Sequence, residues 1–229
     1  TDGEAPVITC PANVSVLNDA GLCTAVVNYN VTFSDNCAGG SLAQTSGLAS
    51  GSAFPVGTTV NAFTATDAGG NTATCSFEVT VTDGEAPTIT CPANITVNND
   101  LGACGATVNY NVVFSDNCAG AVLTQDAGLP SGDKFDVATT TNTFTVTDLN
   151  GNTATCSFDV TVIDVEVPDV ICQSIQVSPT LGSPVVVTPA QVTVSELDNC
   201  GVLGSTLTPS SFDCGMAGQT ITADLAVTD

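Results

Sequence analysis

Cys10, Cys23, Cys37 and Cys75 recur 81 residues later as Cys91, Cys104, Cys118 and Cys156, with the same gaps of 13, 14 and 38 residues. The segment TDGEAP that starts at Thr1 starts again at Thr82, and CSFEVTVTDGEAP returns in the altered form CSFDVTVIDVEVP. A fixed period of this size specifies tandem copies of one small domain. The spacing predicts units at 1–81 and 82–162, each with its own core and its own cysteine staples. A third unit, 163–229, opens in register with Asp164, Glu166 and Pro168, and Cys172 takes the position of Cys10 and Cys91. It then diverges. The second cysteine is missing, and Cys200 and Cys214 form a new pair of positions. Ala223–Asp229 realigns, with Asp229 standing 162 residues after Asp67, so this unit is expected to lack its last strand within the chain.

The eight repeated cysteines contain no C-x-x-C, which favours disulfides over a four-thiolate metal site. The expected setting is therefore oxidising: extracellular or cell-surface. Bridges also suit the composition, because no Trp, two Tyr and nine Phe among 229 residues leave each unit a thin core. Against 23 acids the chain carries one Lys (Lys134), no Arg and no His, for a net charge of −22. Such a surface cannot neutralise phosphate, which excludes nucleic acid and anionic membrane as partners. No apolar run is long enough to insert into a membrane. The lack of His removes Ser-His-Asp and Cys-His chemistry. A glycosidase couple needs two carboxylates in one cleft, whereas these acids recur at turns in every repeat. The chain is expected to be no enzyme.

The residues read as strands throughout. Ile8–Val16, Thr24–Phe33, Thr58–Thr66 and Thr72–Val81 alternate apolar with Thr, Asn or Ser, and turn clusters separate them. Short strands at this spacing predict an all-β chain of immunoglobulin-like antiparallel sandwiches. In such a sandwich the loop after the second strand (Ser34–Cys37), the last hairpin turn (Asp67–Asn71) and the incoming linker (Asp2–Pro6) share one pole. Three acidic loops are expected to converge there.

The pattern D-x-E-x-P then C-P, D-N-C and T-D-x-x-G-N-x-x-x-C-x-F-x-V-x-V resembles the hyalin repeat (HYR) family, an immunoglobulin-like extracellular module. Asp2, Glu4, Pro6, Cys10, Pro11, Asp35, Asn36, Asp67, Gly70, Asn71, Cys75 and Phe77 carry it in the first unit. Asp83, Glu85, Pro87, Cys91, Pro92, Asp116, Asn117, Asp148, Gly151, Asn152, Cys156 and Phe158 carry it in the second. The resemblance implies adhesion, matrix or surface-repeat roles without catalysis. It implies a bridge from the first strand to the last, Cys10–Cys75 and Cys91–Cys156. A second bridge within each repeat, Cys23–Cys37 and Cys104–Cys118, would resemble the bacterial members. Cys200–Cys214 would replace it in the third unit, leaving Cys172 to find its partner outside this chain segment.

The convergent acids make calcium the cofactor to expect, since alternating oxygens around a glycine bend suit hard cations. The candidate ligands are Asp2, Glu4, Asp35, Asp67 and Asn71 at the first pole. At the first junction they are Asp83, Glu85, Asp116, Asp148 and Asn152, and at the second Asp164, Glu166, Asp198 and Asp229. Turn chemistry alone also accounts for Asp, Asn and Gly at these places. Asn13, Asn30 and Asn94 match the N-glycosylation pattern. The function expected is a rigid stalk, surface fibre or filament subunit, with a calcium-dependent adhesin, a ligand-binding module or an accessory region of a secreted enzyme as the alternative. Partners in that reading are further repeats, other copies of the chain, a strand donated to complete the third unit, or a glycan or protein ligand.

Overall fold

The computed structural model describes residues 3–179, 181, 183–216 and 219–229. Asp2, one of the expected ligands, lies outside the described residues, as does the side chain of Cys214. In the first repeat the strands are β1 (Val7–Thr9), β2 (Val14–Leu17), β3 (Thr24–Val27), β4 (Thr32–Ser34), β5 (Ser41–Ser46), β6 (Ser52–Pro55), β7 (Gly57–Thr66) and β8 (Thr72–Thr82). One sheet runs β2-β8-β7-β5, and the facing strands pair as β1–β4 and β3–β6. The expected first strand, Ile8–Val16, is split. β1 is antiparallel to β4, and β2 is parallel to β8, with Val16 opposite Val81. Pro11 lies in the break, where its missing N–H could not serve a ladder. The expected second strand is likewise divided into β3 and β4.

Period-two patterning explains the core. Along β8, Phe77, Val79 and Val81 are buried while Thr74, Ser76 and Glu78 are exposed. They pack with Ala25, Val27, Phe54 and Phe63, and Tyr29 meets Phe77 edge-on at 4.9 Å between ring centres. One inward position on β7 is polar. Asn61 is fully buried, and its Oδ1 accepts the Leu48 N–H at 2.9 Å. Gly47, at φ 88°, lies against that side chain so closely that no Cβ fits.

The second repeat repeats the arrangement as β9 (Thr88–Thr90), β10 (Ile95–Asn98), β11 (Ala106–Thr107), β12 (Val113–Ser115), β13 (Val122–Ala127), β14 (Lys134–Phe135), β15 (Ala138–Thr147) and β16 (Thr153–Ile163). Its sheet order is β10-β16-β15-β13, beside the pairs β9–β12 and β11–β14. The third repeat holds β17 (Asp169–Cys172), β18 (Val185–Val186), a one-turn helix α1 (Pro189–Val192), β19 (Thr193–Leu197), β20 (Gly204–Thr208), β21 (Ser211–Phe212) and β22 (Asp224–Thr228). They pair as β17–β19, β18–β21 and β20–β22. Val187 and Leu207 are its buried apolar residues among those described. The chain is nearly all β, in tandem sandwiches.

The compact units do not follow the repeat boundaries. One comprises Thr1–Cys91, Val112–Asp126 and Phe144–Cys156; the other comprises Pro92–Asn111, Ala127–Thr143 and Ser157–Asp229. The turns of the second repeat that carry Asp116 and Asp148 therefore belong with the first repeat.

The disulfides give the covalent reason. Cys10 is bonded to Cys75 and Cys91 to Cys156, each across 65 residues. Cys23, however, is bonded to Cys118 and Cys104 to Cys200, across 95 and 96 residues. The expected Cys23–Cys37, Cys104–Cys118 and Cys200–Cys214 bridges do not form. Register explains the first case. Cys23 accepts the Val56 N–H through its carbonyl, and Gly57 lies opposite Val81, so Cys23 is level with the C-terminal end of β8. Thr32 lies opposite Thr9, beside the Cys10–Cys75 bond near the other end of β8. From Cys75 to Val81 the strand rises about 20 Å, and Cys37 lies beyond β4. A disulfide tolerates a Cα separation of about 7 Å at most. With Cys118 committed to Cys23 and Cys200 to Cys104, the other two expected pairs lose their sulfurs. The feature that gave the resemblance its bacterial cast goes with them. Cys172 is exposed and forms no disulfide among the described residues.

Phe54→Ala should cost about 3–5 kcal/mol, because the ring is wholly buried. Val7→Ala, at a position 66% exposed, should stay within about 0.5 kcal/mol. Denaturant midpoints of the two oxidised variants check the contrast.

Candidate functional site

The D-N-C turn of the second repeat is built against the end of the first. Asp116 Oδ2 accepts the Cys118 N–H at 3.2 Å, closing a side-chain-to-backbone turn. Asn117 Nδ2 donates to the Leu22 carbonyl at 3.2 Å and to Asp83 Oδ1 at 3.4 Å. Cys118 then reaches Cys23 with a Cα separation of 4.9 Å. The β15–β16 turn comes in beside them. Asp148 Oδ1 accepts the N–H groups of Asn150 and Asn152, and its Oδ2 accepts Asn152 Nδ2 at 2.7 Å. The same amide donates to the Asp83 carbonyl at 3.2 Å.

These bonds bring Asp83, Asp116 and Asp148 together, each offering an oxygen within 4.8 Å of the others. Asp83 is 3% exposed and Asp148 8%, with Asp116 half-buried. Asp83 Oδ2 and Asp116 Oδ1 are buried without a hydrogen-bond donor. No basic side chain exists anywhere in the residues of this compact unit.

The remaining expected ligands have other tasks. Both oxygens of Glu85 accept the Gly21 N–H, at 2.8 and 3.1 Å, and Asn18 Nδ2 adds a third bond. Glu166 does the same to Gly102 and Asn99. The linker glutamates are clasps on the turn before β3 and its counterpart. Asp164 and Asp198 do approach each other, but the third member of their group is Cys200, whose sulfur is in a disulfide. Asp229 is not in that group. At the first pole Asn36 Nδ2 donates to Glu4 Oε2, Asn71 Nδ2 to the Glu4 carbonyl, and Asp35 accepts the Cys37 N–H. Asp35, Asp67 and Glu4 form no three-carboxylate group among the described residues. Asn13, Asn30 and Asn94 are all exposed.

Two aspartates titrate low. The Asn71 side-chain amide at 2.7 Å, with backbone N–H groups of the same turn, holds Asp67 below the usual carboxylate range. Burial pushes Asp148 up, and the bonds from the Asn152 side chain, the Asn152 N–H and the Asn150 N–H outweigh it. Both groups are therefore ionised at neutral pH.

The cross-repeat bridges are what sequence reasoning missed, and one signal pointed to them. The third repeat keeps the D-N-C cysteine, Cys200, while lacking the cysteine thirteen residues after Cys172. A cysteine kept in the absence of its supposed mate belongs to a different pair. Asn199 repeats the docking contact, donating to the Ala103 carbonyl at 3.0 Å.

The profile of the HYR domain matches residues 1–81 and 82–162. The chain is 30% identical to hyalin of Strongylocentrotus purpuratus over 241 aligned residues, covering all of this chain and 20% of that protein. It is 29% identical to hyalin of Lytechinus variegatus over 171 residues, covering 72% of this chain and 32% of that one. The chain thus spans a third or less of these relatives' length. Among solved structures it resembles the protocadherin GammaB4 extracellular domain at 19% identity, with a TM-score of 0.35 over 89% of this chain and 41% of that one.

Asn71→Ala should raise the Asp67 pKa towards the ordinary value, read by carboxyl NMR titration. Because the folded pKa is depressed, the stability linked to Asp67 is present above the unfolded pKa and lost as pH falls through the folded one. The variant's acid unfolding should accordingly begin at higher pH than the wild type's.

Proposed function

The chain belongs to the HYR domain family, and from that membership we propose that it is a non-catalytic, load-bearing stretch of an extracellular stalk, surface fibre or filament. The observation that carries this reading is the pair of cross-repeat disulfides. Two covalent routes pass from the first repeat to the second: the main chain through Thr82–Pro87, and Cys23–Cys118. A joint with two covalent routes resists separation in a way that a single linker cannot. Within each of the first two repeats, Cys10–Cys75 and Cys91–Cys156 shunt tension past 65 residues. The four disulfides among the described residues belong to an oxidising, extracellular setting. No described helix is long and apolar enough to cross a membrane.

The reading keeps the repeats at 1–81, 82–162 and 163–229 as the units of construction, linked to one another by their second and third cysteines. Calcium at the acidic seams belongs to it, because the carboxylates gather there. So does association with further repeats or other copies, through which Cys172 would meet a cysteine-bearing strand. Exposed Asn13, Asn30 and Asn94 are the places where sugar would be attached.

Force spectroscopy on the chain, held by its ends, tests the load path. With the four described bridges closed, the shortest covalent path from end to end runs through Cys23–Cys118 and Cys104–Cys200 and withholds most of the chain. Reduction should then release roughly 540–590 Å of extra contour length in total. Equal contour gains with and without reductant would remove the proposal.

A further inference from the structure

The strongest unexplained feature of the molecule is electrostatic. Asp83, Asp116 and Asp148 crowd oxygens within 4.8 Å, and two of the three side chains are more than nine-tenths buried. Such a cluster is unfavourable unless positive charge or hydrogen-bond donors compensate it. The unit contains no Lys, Arg or His to do so. Backbone and amide donors are spent on one oxygen each of Asp83 and Asp116, leaving Asp83 Oδ2 and Asp116 Oδ1 buried and unmatched. The compensation has to come from solution.

We propose that Asp83, Asp116 and Asp148 together bind a single hard divalent cation of the calcium class, with Asp83 Oδ2 and Asp116 Oδ1 as ligands. This assignment rests on the reading of the seams as ion sites and narrows it. The linker glutamate Glu85 and the amide of Asn152, both candidates by sequence, are outside the site because they clamp Gly21 and orient Asp148. Three carboxylates on three separate segments suit an ion with flexible, oxygen-only coordination. The ion would tie the end of β8, the D-N-C turn and the β15–β16 turn together. Asp116 is two residues from Cys118, so the site lies beside the Cys23–Cys118 bridge and both fasten the same turn.

Oxidised chain titrated with CaCl2 by calorimetry should bind at this site with a dissociation constant of about 10⁻⁴–10⁻³ M, the range of extracellular modules. Asp83→Asn keeps the Oδ1 that accepts the Glu85 N–H and removes one ligand charge, and should weaken that binding roughly tenfold or more. Thermal melts supply a readout that a merely structural role would not move in this way. In chelator, Asp83→Asn should melt no lower than wild type, since it relieves repulsion; in 10 mM CaCl2 the order should invert. Calcium binding that Asp83→Asn and Asp116→Asn leave unchanged would overturn this site while sparing ion-held seams elsewhere. No binding of CaCl2 or MgCl2 at 10 mM would sink both. An Asp83→Asn chain that melts lower in chelator as well would assign Asp83 a packing role instead.

Discussion

The bond between Cys23 and Cys118 determines what counts as a unit in this molecule. It closes a loop of 95 residues that begins in one repeat and ends in the next. A loop near 100 residues contributes about 4.7 kcal/mol in the chain-entropy treatment, comparable to the whole net stability of a small domain. Repeats with little aromatic core thus gain stability from their neighbours as well as from their own interiors. The same bond holds the D-N-C turn where Asn117 can reach Leu22 and Asp83. Beside that docked turn, Asn152 of the Asp148 hairpin donates to the Asp83 carbonyl, and Asp148 joins Asp83 and Asp116.

Charge is handled by geometry. With one basic residue among 229, carboxylates cannot be neutralised by salt bridges, and the chain satisfies them with N–H groups instead. Glu85 and Glu166 each receive a glycine N–H on both oxygens. Asp67 and Asp148 are capped by an Asn four residues on. The Asp–Asn caps are local devices, written as D-x-x-G-N in the first two repeats, whereas the glutamate clasps of Glu85 and Glu166 reach back 64 residues. Where three such acids meet, local donors run out, and Asp83 Oδ2 and Asp116 Oδ1 are left buried without a partner.

Strand patterning was readable because period-two alternation is local. Phe77, Val79 and Val81 announce an inward face without reference to anything distant. The breaks at Pro11 and between Val27 and Thr32 were harder to see, since β1 and β2 serve different sheets and only the pairing partners reveal it. The linker glutamates looked like cation ligands for a similar reason: a carboxylate's partner, here the Gly21 N–H, is 64 residues away in sequence.

The 81-residue period, the all-β character and the crowding of acids at turns follow from the sequence alone, because each depends on residue type and spacing within one repeat. Which cysteine meets which was decided only by the tertiary structure. Disulfide partners are chosen by which Cα atoms come within about 7 Å, and the two ends of one sandwich strand are too far apart while the ends of consecutive repeats are not. Identical spacing in two repeats is equally compatible with bridges inside each copy and bridges from copy to copy. Proximity in space broke that tie.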